Sequence, residues 1–181
     1  MEERIFSCEK LSFMERLKKG STSKIIVILI LMSLCFISEA SEENVFFKVT
    51  FIGFLYAILL LIIIPFVTAS KYIYEVRMNN DKVTLFGEYY NHKWCKVFEI
   101  KDLSVKIVER KYRTDSRFLI VFRSKKTKHT INRSQTWNNF TLFELFRTFK
   151  ELKQEEIIWD EKYTLQALEK KARDEYEWKD I

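Results

Sequence analysis

Glycine and proline are almost missing from this chain. Three glycines (Gly20, Gly53 and Gly87) and one proline (Pro65) serve 181 residues. With so few, neither a phosphate-cradling GxxxxGK loop nor a GxGxxG dinucleotide fingerprint can be written. Histidine is as scarce: His92 and His129 are the only two. That rules out an HExxH zinc helix and leaves no Ser/His/Asp set at a recognisable spacing. The three cysteines, Cys8, Cys35 and Cys95, stand far apart with no CxxC. They provide neither a disulfide framework nor a zinc site. These absences predict a protein that is not an enzyme, with no catalytic residue, no metal and no cofactor.

What is present is unevenly placed. From Val49 to Ala69 runs a 21-residue stretch, VTFIGFLYAILLLIIIPFVTA, without a formal charge. As a helix it would be about 31 Å long, close to the roughly 30 Å hydrocarbon core of a bilayer. A second apolar run, IIVILILMSLCFI from Ile25 to Ile37, extends to Ser23–Ala40. Three readings of it stand: a short transmembrane helix, a secretory signal ending near Ser38-Glu39-Ala40, or an interfacial segment. The first is favoured, because the leading segment is long and carries Glu2, Glu3, Glu9 and Glu15. Basic residues precede the first run and follow the second, while the intervening EASEENVFFK is acidic. The positive-inside rule then predicts a multi-pass protein of the cytoplasmic membrane with both termini cytoplasmic.

After Ser70 the period becomes two. KYIYEVRM, KVTLFGEYYN, WCKVFEI, SVKIVER, FLIVFR and HTINR read as six short strands, with Asn79-Asn80-Asp81 as a turn, Gly87 as a candidate bulge and room for a seventh strand in the Glu88–Lys96 region. In TWNNFTLFELFRTFKELK the apolar residues Trp137, Phe140, Phe143, Phe146, Phe149 and Leu152 recur every third position, widened by Leu142 and Leu145. This predicts an amphipathic helix capped near Asn138 or Asn139, its stripe packing on the sheet. Residues 154–181 form a charged tail of helical spacing. The segments are therefore an N-terminal stretch (1–22), two membrane helices (about 23–40 and 49–69), a β-rich domain (70–153) and the tail.

Strands, a charged turn, a last strand and a closing helix, as in FLIVFRSKKTKHTINRSQTWNNFTLFELFRTFKEL, resemble the pleckstrin-homology-like domains of bacterial membrane proteins. One group of those proteins carries two membrane helices ahead of the domain. The resemblance implies an α+β fold: a transmembrane hairpin, then an antiparallel β-barrel or sandwich closed by one C-terminal helix. It also implies a binding or scaffolding role.

Charge points the same way. Residues 71–133 hold 16 Lys/Arg against 7 Asp/Glu, and residues 134–181 hold 8 against 11. The excess gathers in ERKYRTDSR and RSKKTKH, making Arg110, Lys111, Arg113, Arg117, Lys125, Lys126 and Lys128 the candidate contact residues. Their expected partners are the membrane itself, anionic phospholipid headgroups and a protein; nucleic acid is not expected. The functional expectation is a membrane-anchored adaptor, the alternative an immunity or envelope-stress protein acting through its membrane helices. An exposed sheet edge is a further place for a protein to bind.

Overall fold

The alternating stretches form strands because every second side chain has a core to enter. A computed structural model describes residues 3–19, 56, 59, 63, 66–111, 116–125, 127–132 and 136–177. The chain divides into two units, Met1–Lys10 with Tyr72–Ile181, and Leu11–Lys71.

The Leu11–Lys71 unit contains helix α1 (residues 13–19) and helical residues 66–70, labelled α2. The start of α1 is a capping box. The Ser12 N–H and hydroxyl both donate to Glu15 Oε2 at 2.7 Å, while the Glu15 N–H donates to Ser12 Oγ at 3.3 Å. Buried Arg16 donates from Nε to the Ala69 carbonyl (3.1 Å) and from Nη1 to the Leu11 carbonyl (3.0 Å). A guanidinium thus satisfies a carbonyl at the last turn of α2.

The larger unit holds β1 (Arg4–Ser7), β2 (Lys71–Met78), β3 (Lys82–Tyr89) and β4 (His92–Glu99), then a 3-10 turn at Ile100–Asp102. After it come β5 (Ser104–Lys111), β6 (Ser116–Ser124), β7 (Thr127–Asn132), α3 (Asn139–Lys153) and α4 (Trp159–Glu177). The first sheet has the order β1-β2-β3-β4 and the second β5-β6-β7, with antiparallel pairing in each registered ladder. Turn chemistry fixes the hairpins. Asn79 Oδ1 accepts from the N–H groups of Asp81 (3.1 Å) and Lys82 (2.7 Å). Tyr90 adopts φ 55° in the two-residue turn between the paired Tyr89 and His92, as such hairpins require.

The core gathers Val76, Met78, Val83, Leu85, Val105, Ile107, Phe118, Ile120, Phe122 and Ile131 under Leu142, Leu145, Phe146 and Phe149 of α3. Trp137 is buried and donates from Nε1 to the Ile73 carbonyl at 2.8 Å. The α3 cap is Asn138, whose side chain accepts from the Thr141 N–H at 2.6 Å. The three-residue stripe drifts off the real 3.6-residue face. Phe146 and Phe149 are buried, but Phe140 is exposed and Phe143 only half-buried.

Four expectations need correction. The sheets do not close into a barrel; they stay open, and the turn at Ile100–Asp102 carries the chain from one to the other. The pleckstrin-homology-like reading with a transmembrane hairpin therefore does not stand, although the mixed α+β character does. The first apolar run, 23–40, lies outside the described residues. Of 49–69 the structure describes Tyr56, Leu59, Ile63 and residues 66–69, helical and exposed except for Ala69. Among the described residues no helix is long and apolar enough to cross a membrane. The longest, α4, has 19 residues rich in charge, WDEKYTLQALEKKARDEYE, too polar for a bilayer interior. An integral membrane partner and a multi-pass inner-membrane location are thus not supported. Lastly, Gly87 is not a bulge, since the β3–β4 register runs unbroken from Lys82↔Glu99 to Tyr89↔His92. A Cβ there would lie against the Trp94 ring and 2.5 Å from the Tyr72 carbonyl oxygen, so the glycine makes room for a neighbouring ring.

Candidate partner-binding face

The second sheet has one face in the core and one outside. Val105 and Ile107 of β5, Phe118, Ile120 and Phe122 of β6, and Ile131 of β7 point inward. Strand alternation places the intervening residues on the other side: Ser104, Lys106, Val108 and Arg110; Arg117, Leu119, Val121 and Arg123; Lys128 and Thr130. Register sets their neighbours. Arg110 lies opposite Arg117, Lys106 opposite Val121, Val108 opposite Leu119, and Arg123 opposite both Ser104 and Lys128. All five cations are exposed.

Two pairs of like charge therefore stand directly across the ladder, Arg110–Arg117 at one end and Arg123–Lys128 at the other. Side chains so placed are about 5 Å apart at Cβ, and like charges there are destabilising. No Asp or Glu occupies an outward position on these three strands. Between the charged ends lie Val108 (38% exposed), Val121 (half-buried) and Leu119 (4% exposed). Arg117 and Arg123 are six residues apart on β6, about 20 Å. The apolar surface left open between the charged ends is thus that of Val108 and part of Val121, Leu119 being already covered.

The residues expected from sequence divide on the structure. Arg110, Arg117 and Lys128 join this outward face. Lys111, opposite Ser116, falls on the other alternation at the exposed end of β5. Lys125 is exposed just after β6 at φ 33°. Arg113 and Lys126 lie outside the described residues. The two loops sit at opposite ends of β6, about 27 Å apart, so they do not make one patch. Lys106 and Arg123 join the face although sequence reasoning passed over them. For Lys106 the signal is the alternation in SVKIVER; FLIVFR is nearly all apolar and gives none for Arg123.

Reactive groups are poorly placed by comparison. Burial pushes the Cys8 thiol up, against hydrogen bonds to Thr136 and Tyr72 that pull it down. Its Sγ lies 3.3 Å from Tyr72 Oη, and that hydroxyl donates to the Glu9 carbonyl. A thiol in this state is a weak nucleophile. His129 packs between Trp94 (5.3 Å) and Phe98 (5.8 Å), with Nε2 3.4 Å from Lys96 Nζ. Among the described residues no three His, Cys, Asp or Glu side chains gather as a metal would need.

Comparison with protein-family models, with curated proteins and with solved structures finds no match.

Proposed function

We propose that this chain is a non-catalytic binding module whose second sheet docks an acidic protein segment on its outward face. The observation that carries the reading is the like-charge opposition of Arg123 and Lys128, on strands whose outward positions hold no carboxylate among the described residues. Folding alone gains nothing from this opposition, whereas a partner with acidic groups beside an apolar anchor relieves it. Protein suits the face better than nucleic acid does. No aromatic side chain occupies its outward positions to stack a base, and its centre is aliphatic.

The test is a photo-crosslinking residue at Val121 in cells producing the full chain. A protein adduct that diminishes several-fold on adding Arg123→Glu supports the reading. An adduct to nucleic acid alone, no adduct, or an adduct indifferent to charge reversal would defeat it.

A further inference from the structure

Helix α4 begins with aromatic side chains that the fold does not use. Trp159 is 79% exposed and Tyr163 63%, and neither makes a side-chain hydrogen bond or a ring contact among the described residues. Tryptophan and tyrosine are frequent interface anchors. These two are not on a frayed end. Lys150, with its side chain 4% exposed, binds Glu155 at 2.7 Å and Glu161 at 2.8 Å. Glu161 Oε2 in turn accepts the Ile158 N–H at 3.3 Å, so a buried ammonium ion fixes the connection from which α4 starts. Order established beforehand lowers the cost of docking. A groove runs beside the same helix, between α3 and α4. It is lined by Phe143, Arg147, Lys162, Leu165, Gln166 and Glu169, and its volume is about 280 Å³. A cavity of about 150 Å³ holds benzene, so the groove has room for an indole. Phe143 and Leu165 give it half-buried apolar walls, and Arg147 and Lys162 bring cations, which an indole face attracts.

Residues 159, 163, 166 and 170 follow the three- and four-residue spacing of one helix face, and all four are exposed. The stripe begins aromatic, with Trp159 and Tyr163, and ends polar, with Gln166 and Lys170. Glu156, just ahead of it, and Lys170 make no ion pair among the described residues. Turned end for end about Tyr163, the stripe meets itself in complementary order. Glu156 comes opposite Lys170, Trp159 opposite Gln166 at the edge of the groove, and Lys162 beside Tyr163. We infer that the chain forms a symmetric dimer through this helix. The α4 helices of two copies lie antiparallel, and Trp159 of each fills the α3–α4 groove of the other. The contact is isologous, so it closes at two copies. Four aromatic rings at about 150–250 Å² each supply most of the roughly 1,000 Å² that a specific interface needs. This surface shares no residue with the second-sheet face and does not rest on the reading given for it.

Sedimentation velocity of the purified full-length chain over a range of concentrations tests this. The wild type is expected to reach twice the chain mass and to grow no further. Trp159→Ala should weaken the dimer about tenfold or more. Glu156→Lys sets a like charge against Lys170, and Lys170→Glu sets one against Glu156. Each should weaken the dimer several-fold, whereas the double variant, with the two charges exchanged, should restore it. A mixture of the two single variants should likewise form heterodimers, because each then meets its opposite charge. All three positions are exposed, so circular dichroism should show an unchanged fold. A wild type that stays monomeric at every concentration overturns the inference, as does growth past two copies. So do a Trp159→Ala variant that associates normally and a double variant no better than its parents. Arg123→Glu, which disables the second-sheet face, should leave the dimer unchanged, so the two readings fail separately.

Discussion

The two sheets treat their outward cations in opposite ways. On the first sheet and its flanks several have a negative partner. Arg77 binds Glu75, reaches Glu3 at 4.0 Å and lies 4.8 Å over the Phe86 ring. Lys10 binds Glu88 at 3.1 Å, and Lys101 binds Glu99 at 2.9 Å. On the second sheet, cations face cations across the ladder at both ends of β6. The contrast teaches that charge pairing is uneven between the two sheets. Among the described residues, the outward positions of β5, β6 and β7 hold no carboxylate, whereas Glu75 pairs with Arg77 on the first sheet. Charges paired internally contribute to stability; like charges opposed across a ladder do not.

Predictions follow from breaking each side of this comparison. The largest effect is expected at the most buried paired cation. Lys150→Ala leaves Glu161 buried without its cation and should cost about 3 kcal/mol, read as a lower denaturant midpoint. The same cluster sets a pH dependence. Burial works to lower the Lys150 pKa, but hydrogen bonds to Glu155 and Glu161 outweigh it and raise the value. Hydrogen bonds from Lys150 and then Lys153 hold the Glu155 carboxyl below its usual range. Glu155 therefore contributes stability at neutral pH that is lost as acid protonates it, and Lys150 contributes stability that is lost only when alkali carries the pH through its raised value. Thermal melts across pH should decline at both ends, and Lys150→Ala should flatten the profile.

Next in size is Gly87→Ala, which forces a methyl group against Trp94 and the Tyr72 carbonyl. It should destabilise by about 2 kcal/mol, with amide exchange accelerated in β2–β4 before β5–β7. Arg123→Glu sharpens the comparison most directly. It turns a like-charge opposition with Lys128 into an attractive one and should stabilise the fold by about 0.5 kcal/mol while diminishing the Val121 adduct several-fold. Arg77→Glu, the same reversal on the first sheet, should destabilise. If both reversals destabilise, the two faces are alike and the contrast fails. The smallest effect is ionic: the stability gap between Arg123→Glu and wild type should shrink by a few tenths of a kcal/mol as salt screens exposed charges.

Much of this was legible beforehand where the signal is local. Strand patterning placed all six strands of residues 71–132 within two residues at each end. Asn79 announced its turn by its side chain, and Asn138 its helix cap. Where the signal is distant, reading failed. RIFS (Arg4–Ser7) is four residues with two apolar positions and becomes β1 only because β2, some seventy residues on, offers a free edge. The cations were read as loop clusters because charge density along the chain was visible and strand register was not.

Residue order alone determined that this chain alternates, caps and turns as a mixed α+β protein with an excess of positive charge in its middle third, because those properties depend on near neighbours. Tertiary structure alone decided that the sheets stay open, that Gly87 exists for the Trp94 ring, and that Lys106, Arg110, Arg117, Arg123 and Lys128 share one face. Cross-strand pairing joins residues by register instead of by sequence distance, and a shift of one position would send each of those charges to the opposite side.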